Sequence, residues 1–225
     1  MFAKSKCRSI LAAVVFAALA IAAHAQQPID GFLPRTFTNS KGAKMPYRLF
    51  IPPTYDAIHS YPLIVYLHGG AGNGTDNVSQ ISGGNTEGTH VWATKEAQRE
   101  HPAFVLAPQA PNNEDWGGPE NSDLSPAAKS TLEIIESLEH EFKIDKARLY
   151  ITGQSLGGYG TWDMIIRRPN LFAAAIPLCG SGEANHPPFQ KRYSTAEFER
   201  IKNLPIWVFQ GADDKTVHAE GPRKP

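Results

Sequence analysis

Short apolar runs of five or six residues recur along the chain and alternate with longer stretches of helical periodicity. The runs fall at residues 47–51, 63–67, 103–107, 148–152, 173–178 and 206–210. Runs of this length, rich in Val, Ile, Leu and aromatic side chains, are typical of strands buried on both faces. Their alternation with helices predicts an α/β fold with a mostly parallel sheet and helices on both faces.

The clearest helix is predicted to begin at Ser125 and Pro126, a capping hydroxyl followed by proline at the first helical position. Apolar residues then follow at steps of three and four and form one stripe, made of Ala128, Leu132, Ile135, Leu138 and Phe142. Shorter helices are predicted over residues 92–100, 156–168 and 195–202. The glycine-rich stretches 69–88 and 110–124 are long connections of the kind that build sites in α/β domains.

Residues 1–25 have the pattern of a secretory signal peptide. Lys4, Lys6 and Arg8 give a basic start, residues 10–23 are apolar, and Ala23-His24-Ala25 is a small-x-small cleavage site. The alternative is an uncleaved anchor helix, for which the apolar run is short. We therefore expect cleavage after Ala25 and a single exported domain over residues 26–225, in the periplasm or outside the cell and without a membrane anchor.

Charge and cysteine content narrow the classes of partner. The sequence has 22 Lys and Arg against 22 Asp and Glu, and removing three basic residues with the signal peptide leaves 19 − 22 = −3. This balance gives no field to attract nucleic acid, so a small-molecule partner is expected. Cys179 is the one cysteine of residues 26–225, which leaves no internal disulfide, and it is expected to be a small buried apolar residue.

The strongest chemical motif is Gly153-Gln154-Ser155-Leu156-Gly157, a G-x-S-x-G between a predicted strand and a predicted helix. A turn this sharp brings backbone segments together, so Gly153 and Gly157 lack side chains where none would fit. The turn would expose the Ser155 hydroxyl at a helix N-terminus, where the Leu156 N–H can donate to an oxyanion. The alternative is a glycine-rich turn that carries an ordinary serine.

A second motif follows the strand at 63–67, which runs into His68-Gly69-Gly70-Ala71-Gly72. An acyl-transfer site on this architecture needs a flexible loop here to supply its other oxyanion donor, for which Gly70 is the candidate. His68 lies at the strand end before the loop. We expect it to hold the loop by hydrogen bonds rather than to act as a base.

The candidate acid follows the last predicted strand, 206–210, in Gly211-Ala212-Asp213-Asp214. This position puts a carboxylate at the C-terminal edge of the sheet, where it can orient a histidine. Asp214 is preferred, with Asp213 expected to cap or brace the loop. The alternative is a turn with two solvated aspartates.

Several segments together resemble secreted α/β-hydrolases of the esterase and peptidase type, related to carboxylesterase/phospholipase, dienelactone-hydrolase and prolyl-oligopeptidase-like domains. They are Tyr47-Arg48-Leu49 with Pro52-Pro53, YPLIVYLHGG from 61, GTDN from 74, HPAFVLAPQAP from 101, RLYITGQSLGGYGTWD from 148 and PIWVFQGADD from 205. The resemblance implies the α/β-hydrolase fold, Ser155 as nucleophile, Asp214 as triad acid and the Gly70 and Leu156 amides as oxyanion donors. It implies no cofactor, and the spacing of Cys and His matches no zinc pattern.

The sequence departs from this family at the triad histidine, which such enzymes carry about 30 to 40 residues after the acid, beyond one more helix and strand. Here 11 residues follow Asp214. His186 precedes the acid, and His218, four residues after it, is a weak candidate base that we interpret as a surface histidine. The resemblance thus predicts a domain that lacks its last helix and strand.

Three functions remain open from the sequence. Hydrolysis of carboxylic esters through an acyl-enzyme on Ser155 is favoured, because it needs only a triad and an oxyanion hole. A secreted serine peptidase of the prolyl-oligopeptidase-like type is the enzymatic alternative. A catalytically inactive, truncated hydrolase-like binding module is the third, motivated by the absent histidine.

Overall fold

A computed structural model describes residues 26–117, 123–181 and 193–217. Its centre is a six-stranded sheet in the order β1-β2-β4-β3-β5-β6. The strands are β1 (Phe32–Thr38), β2 (Lys44–Phe50), β3 (Tyr61–Leu67), β4 (Phe104–Pro108), β5 (Ile144–Gln154) and β6 (Ala174–Leu178). The helices are α1 (Thr86–His90), α2 (Lys95–Glu100), α3 (Pro126–Glu141), α4 (Leu156–Arg167) and α5 (Thr195–Glu199).

The sheet is parallel from β4 through β3 and β5 to β6, and antiparallel where β1 and β2 join its other end. β1 is not predicted from the sequence. The predicted strand at 206–210 is present only as two parallel bridges to β6, Ala175 with Ile206 and Leu178 with Phe209. Residues 206–209 therefore extend the sheet by one incomplete edge strand.

The two faces of the sheet carry separate cores, as the alternation along β4 shows. Phe104 and Leu106 belong to a large cluster with α3 and α4, while Val105 and Ala107 pack with Phe32 and other residues in a smaller cluster. Successive strand residues point to opposite faces. The predicted arrangement, a mostly parallel sheet with helices on both faces, is confirmed.

Helix α3 begins as predicted, with the Ser125 hydroxyl accepting the Ala128 N–H at 3.1 Å and Pro126 in the first turn. The buried face of α3 is rotated about the helix axis by part of a turn relative to the predicted stripe. Thr131 and Ile134 are fully buried, whereas Leu132 is only half-buried. A stripe drawn from apolar residues alone omits Thr131, whose hydroxyl is satisfied inside the helix by the Ala127 carbonyl.

One part of the sheet has no helix over it among the described residues. Right-handed crossovers place the helices of β4-α3-β5 and β5-α4-β6 on the same face. On the opposite face a shallow apolar groove remains, lined by Trp92, Ile64, Tyr150, Thr152, Ala174 and Ile176. Within the described ranges, no helix is long and apolar enough to cross a membrane.

Candidate active site

Ser155 is the single residue between the end of β5 and the start of α4. Its backbone has φ 52° and ψ −116°, a combination that few residues other than glycine adopt and that costs on the order of 1–3 kcal/mol. The Ser155 N–H donates to the Leu178 carbonyl at 2.9 Å, and the Ser155 carbonyl accepts from the Tyr159 N–H at 3.1 Å. The surrounding backbone thus holds the predicted nucleophile on a sharp strand-to-helix turn.

The glycines around Ser155 are required by close backbone contacts. A Cβ on Gly153 would lie 2.5 Å from the Gly157 carbonyl oxygen, and a Cβ on Gly157 would lie 1.9 Å from the Leu67 carbonyl oxygen. Neither distance is compatible with a side chain. The first turn of α4 is therefore pressed against the end of β3, where the loop of His68 to Gly72 begins.

The two predicted oxyanion donors are both first residues of helices. Gly70 opens a short 3₁₀ turn, Gly70–Gly72, and Leu156 opens α4. The N–H groups of a helix's first residues have no acceptor within the helix, so both are candidates to donate to a ligand. The neighbouring Gly69 N–H is not available, because it donates to the Asn85 side-chain oxygen at 2.8 Å.

His68 is fully buried, and both of its ring nitrogens lie at hydrogen-bonding distance from backbone groups. Nε2 accepts the Ala110 N–H at 3.0 Å, which makes Nδ1 the donor to the Gly69 carbonyl at 2.7 Å. Burial lowers the pKa of His68 to about 4, against an opposing contribution from the Gly69 bond. The side chain is neutral near pH 7 and fastens the loop, with the Trp116 indole donating to the His68 carbonyl at 2.9 Å.

Asp214 sits in a turn that its own carboxylate organises. Oδ1 accepts the Thr216 and Val217 N–H groups, both at 2.9 Å, and Oδ2 accepts from the Gln210 amide at 3.1 Å. Asp213 is exposed. The turn is therefore braced by Asp214, the expected triad acid, and not by Asp213 as the sequence suggested, because the Asp214 side chain folds back over the following amides.

Tyr159 and Cys179 both lie next to Ser155: the Tyr159 N–H donates to the Ser155 carbonyl, and Cys179 follows Leu178, whose carbonyl accepts the Ser155 N–H. Burial raises the pKa of the Tyr159 hydroxyl and of the Cys179 thiol, and the nearby Asp214 charge raises both further. Cys179 follows β6 directly, has φ 40° and is only half-buried. The expectation of a buried apolar cysteine is thus wrong: the residue lies at the sheet edge beside the turn of Ser155.

No histidine in residues 26–117, 123–181 or 193–217 is hydrogen-bonded to Ser155. Of the five in these ranges, His68 is held by backbone groups, His59 pairs with Asp56, His90 lies 3.2 Å from Asp30, and His101 and His140 are exposed. His186 and His218 lie outside the described residues, as do residues 1–25. The described ranges also contain no cluster of three or more potential metal ligands.

Comparisons with curated proteins give relatives of one kind. Probable feruloyl esterase C from Aspergillus niger is 31% identical over 134 residues, and its namesake from Aspergillus terreus is 33% identical over 136. Each alignment covers 60% of this chain and 46% of the relative. The chain spans about half the length of the curated relatives it matches.

Solved structures share the fold. A structure described as a thermostable esterase is 42% identical, with a TM-score of 0.76, and covers 87% of this chain and 50% of that one. An acetyl xylan esterase from Aspergillus awamori has a TM-score of 0.61 at 16% identity, covering 84% and 75%. The acetyl xylan esterase thus shares the α/β-hydrolase fold with this chain although the two sequences are only 16% identical. Because the family described as "Putative esterase" matches residues 38–224, nearly the whole described domain, the chain belongs to this Esterase family.

Proposed function

We propose that the protein hydrolyses carboxylic esters through an acyl-enzyme on Ser155. The observation that carries the proposal is the backbone of Ser155, strained at φ 52° and fixed between two close glycine contacts at the N-terminus of α4. Such strain persists where the surrounding structure enforces it, and it clusters at functional sites. The hydroxyl would attack the substrate carbonyl, and the resulting oxyanion would accept from the Leu156 and Gly70 N–H groups.

The general base in this proposal is a histidine from outside the described residues, oriented by Asp214. The position of Asp214 supports this role: it follows the segment 206–209 that pairs with β6, and its charge acts on Cys179 and Tyr159 next to Ser155. Single His186→Ala and His218→Ala variants test the two candidates within the sequence. Loss of hydrolysis in one of them would identify the base, and full activity in both would place it elsewhere in the open reading frame that contains the sequence.

The finer proposal is that esters of hydroxycinnamic acids are accepted, since the curated relatives at 31–33% identity carry the name feruloyl esterase. Methyl ferulate, p-nitrophenyl acetate and a peptide amide are the substrates to compare. Turnover of both esters with the peptide left intact is expected. Cleavage of the peptide without cleavage of either ester would favour a peptidase instead.

The donor role of Gly70 has a sharp test in the Gly70→Pro variant. Gly69 has φ −72° and ψ 173°, a conformation compatible with a following proline, and proline is well tolerated at the first position of a helix. The variant removes the N–H and little else, so kcat should fall about 100- to 1000-fold. Gly70→Ala keeps the N–H, has no atom within 4 Å of its new Cβ and should retain activity.

We also propose that residues 1–25 are removed during export, as the basic start, apolar run and Ala23-His24-Ala25 site support. N-terminal sequencing of the protein recovered outside the cytoplasm should begin at Gln26. A start at Met1 in a membrane fraction would point to an uncleaved anchor.

A further inference from the structure

Asn85 is a buried amide whose side chain contacts both sides of the candidate active site. It lies just before α1, in the long connection that follows β3, and is 1% exposed. Its Oδ1 accepts the Gly69 N–H at 2.8 Å, and its Nδ2 donates to the Ser79 carbonyl at 3.1 Å. These two bonds fix the amide's orientation, because the flipped amide would set its NH₂ against the Gly69 N–H.

The bond to Gly69 determines which amide of the loop can serve as a donor. Since the Gly69 N–H donates to Asn85, the peptide between His68 and Gly69 cannot rotate without leaving a buried donor unpaired. The acceptor, Asn85 Oδ1, also lies 3.4 Å from the Tyr66 hydroxyl. An unpaired buried polar group costs about 1–3 kcal/mol. The Gly70 N–H belongs to the next peptide, whose Gly69 carbonyl accepts from His68 Nδ1 and from the Gly72 N–H at 2.8 Å. Asn85 therefore fixes the position of Gly69 on one side, and the two bonds to the Gly69 carbonyl fix the peptide that carries the Gly70 N–H.

The same oxygen reaches the residue that precedes the candidate nucleophile. Gln154 Nε2 lies 3.4 Å from Asn85 Oδ1 and donates to the Gly84 carbonyl at 2.6 Å. Gln154 is the last residue of β5, so its neighbour is Ser155. Asn85 thus links the oxyanion loop to the nucleophile turn through one atom.

We propose that Asn85 is a positioning residue that keeps the Gly70 N–H in register with the Ser155 hydroxyl. The inference rests on the proposed function, and it assigns Asn85 no contact with the substrate. Loss of Asn85 should raise the free energy of the transition state more than that of the bound substrate, because the Gly70 N–H bonds most strongly to the oxyanion that forms in the transition state.

The primary test compares Asn85→Ala with Asn77→Ala in ester hydrolysis. Asn77 is a matched buried amide, 3% exposed, which donates to the Arg35 carbonyl and accepts from Gln80. Asn85→Ala should lower kcat about 10- to 100-fold, the size of effect that a displacement near 1 Å can have, with KM changed less than about threefold. Asn77→Ala should lose at least as much stability while keeping kcat near wild type.

A trifluoromethyl ketone inhibitor gives a second readout, since its adduct with a serine hydroxyl carries an oxyanion. Its affinity should fall in Asn85→Ala in proportion to kcat/KM, whereas the affinity of the product acid should not change. A merely structural role for Asn85 would lower both affinities or neither. Equal losses of kcat in Asn85→Ala and Asn77→Ala would also overturn the proposal.

Gln154→Met provides a variant that keeps the side-chain volume at a partly exposed position and should fold. It should lower kcat by a few fold, and the Asn85→Ala/Gln154→Met double variant should be little worse than Asn85→Ala alone, because the two residues act through one contact. Fully additive losses would contradict the shared contact. A wild-type protein that neither hydrolyses esters nor reacts at Ser155 would instead overturn the proposed function itself.

Discussion

At the scale of single residues, the candidate site depends on backbone positions more than on side-chain chemistry. Ser155 is the one non-glycine residue of its turn that adopts positive φ, and its N–H and C=O are both bonded into the neighbouring elements. Gly153 and Gly157 leave no room for a Cβ. A change of one methyl group here therefore acts on the position of the hydroxyl as well as on stability.

Gly157→Ala is expected to destabilise the fold by several kcal/mol, because its Cβ would lie 1.9 Å from the Leu67 carbonyl oxygen and α4 would have to move away from β3. Chemical denaturation monitored by circular dichroism measures the change. Gly70→Ala is the matched control and should unfold like the wild type. Equal stability of the two variants would contradict the close contact at Gly157.

The buried side chain of His68 should make the free energy of unfolding depend on pH. Its folded pKa is about 4 and its reference value is 6.5, so between these values the unfolded chain binds a proton that the folded chain does not. The free energy of unfolding is therefore expected to be highest above about pH 6.5 and to fall as the pH is lowered toward 4. Between pH 7 and pH 5 the expected decrease from His68 is about 2 kcal/mol.

The pH dependence is measured from urea unfolding of wild type and His68→Asn across that range. The variant should be less stable at pH 7, and its free energy of unfolding should change less with pH. Parallel pH profiles for the two proteins would show that His68 is not held neutral in the folded state.

At the scale of elements, the predicted helices and strands agree with the structure where the sequence marks the ends of the element with a capping residue or a proline. Helix α3 begins at its Ser125 cap, and the strands β3, β4 and β6 fall within two residues of the predicted runs. β1 was missed because it is half-exposed and has no continuous apolar run. The segment 206–210 reads as a buried strand, yet it forms only two bridges because no described strand pairs with its outer edge.

The capping of α3 gives a prediction at this scale. The Ser125 hydroxyl accepts the Ala128 N–H and donates to the Trp116 carbonyl at 3.1 Å, in a buried setting. Ser125→Ala should cost about 1–2 kcal/mol, the upper part of the range for helix caps. Ser194→Ala at the exposed cap of α5 should cost less, and a larger loss at Ser194 would contradict the importance of burial.

The candidate site shows where sequence analysis stops. Ser155, Asp214, Gly70 and Leu156 could be predicted as candidates because each follows a strand or begins a helix in a recognisable motif. Asn85 was missed because it lies in a glycine- and asparagine-rich connection, and only the folded chain brings it to Gly69. One feature of the sequence indicates that Cys179 lies near the candidate site. It directly follows β6, the strand that pairs with β5, and β5 leads into Ser155.

At the scale of the whole molecule, the most unusual surface among the described residues is the outer edge of the segment 206–209. Trp207 is 67% exposed and Phe209 43%, with ring centroids 4.6 Å apart, on the same face as Ile176. An exposed apolar edge strand is a template for association with other chains. We expect a protein of residues 26–225 to self-associate through this edge.

Trp207→Lys should shift such a protein toward the monomer in sedimentation velocity, since a charged side chain on an edge strand opposes pairing. Its free energy of unfolding should change by no more than about 0.5 kcal/mol because the side chain is mostly exposed. Ile58→Lys is the control, an 84% exposed apolar residue away from the edge. Unchanged association in Trp207→Lys would contradict the role of this edge.

The central claim, that Ser155 is the nucleophile of an esterase, is tested most directly by the site of reaction with a fluorophosphonate. The protein encoded by the open reading frame containing this sequence is treated with the reagent and digested, and the modified peptide is identified by mass spectrometry. We predict a single phosphonyl group on Ser155 and no labelling of Ser155→Ala. Labelling of another residue, or equal labelling of wild type and Ser155→Ala, would contradict the account.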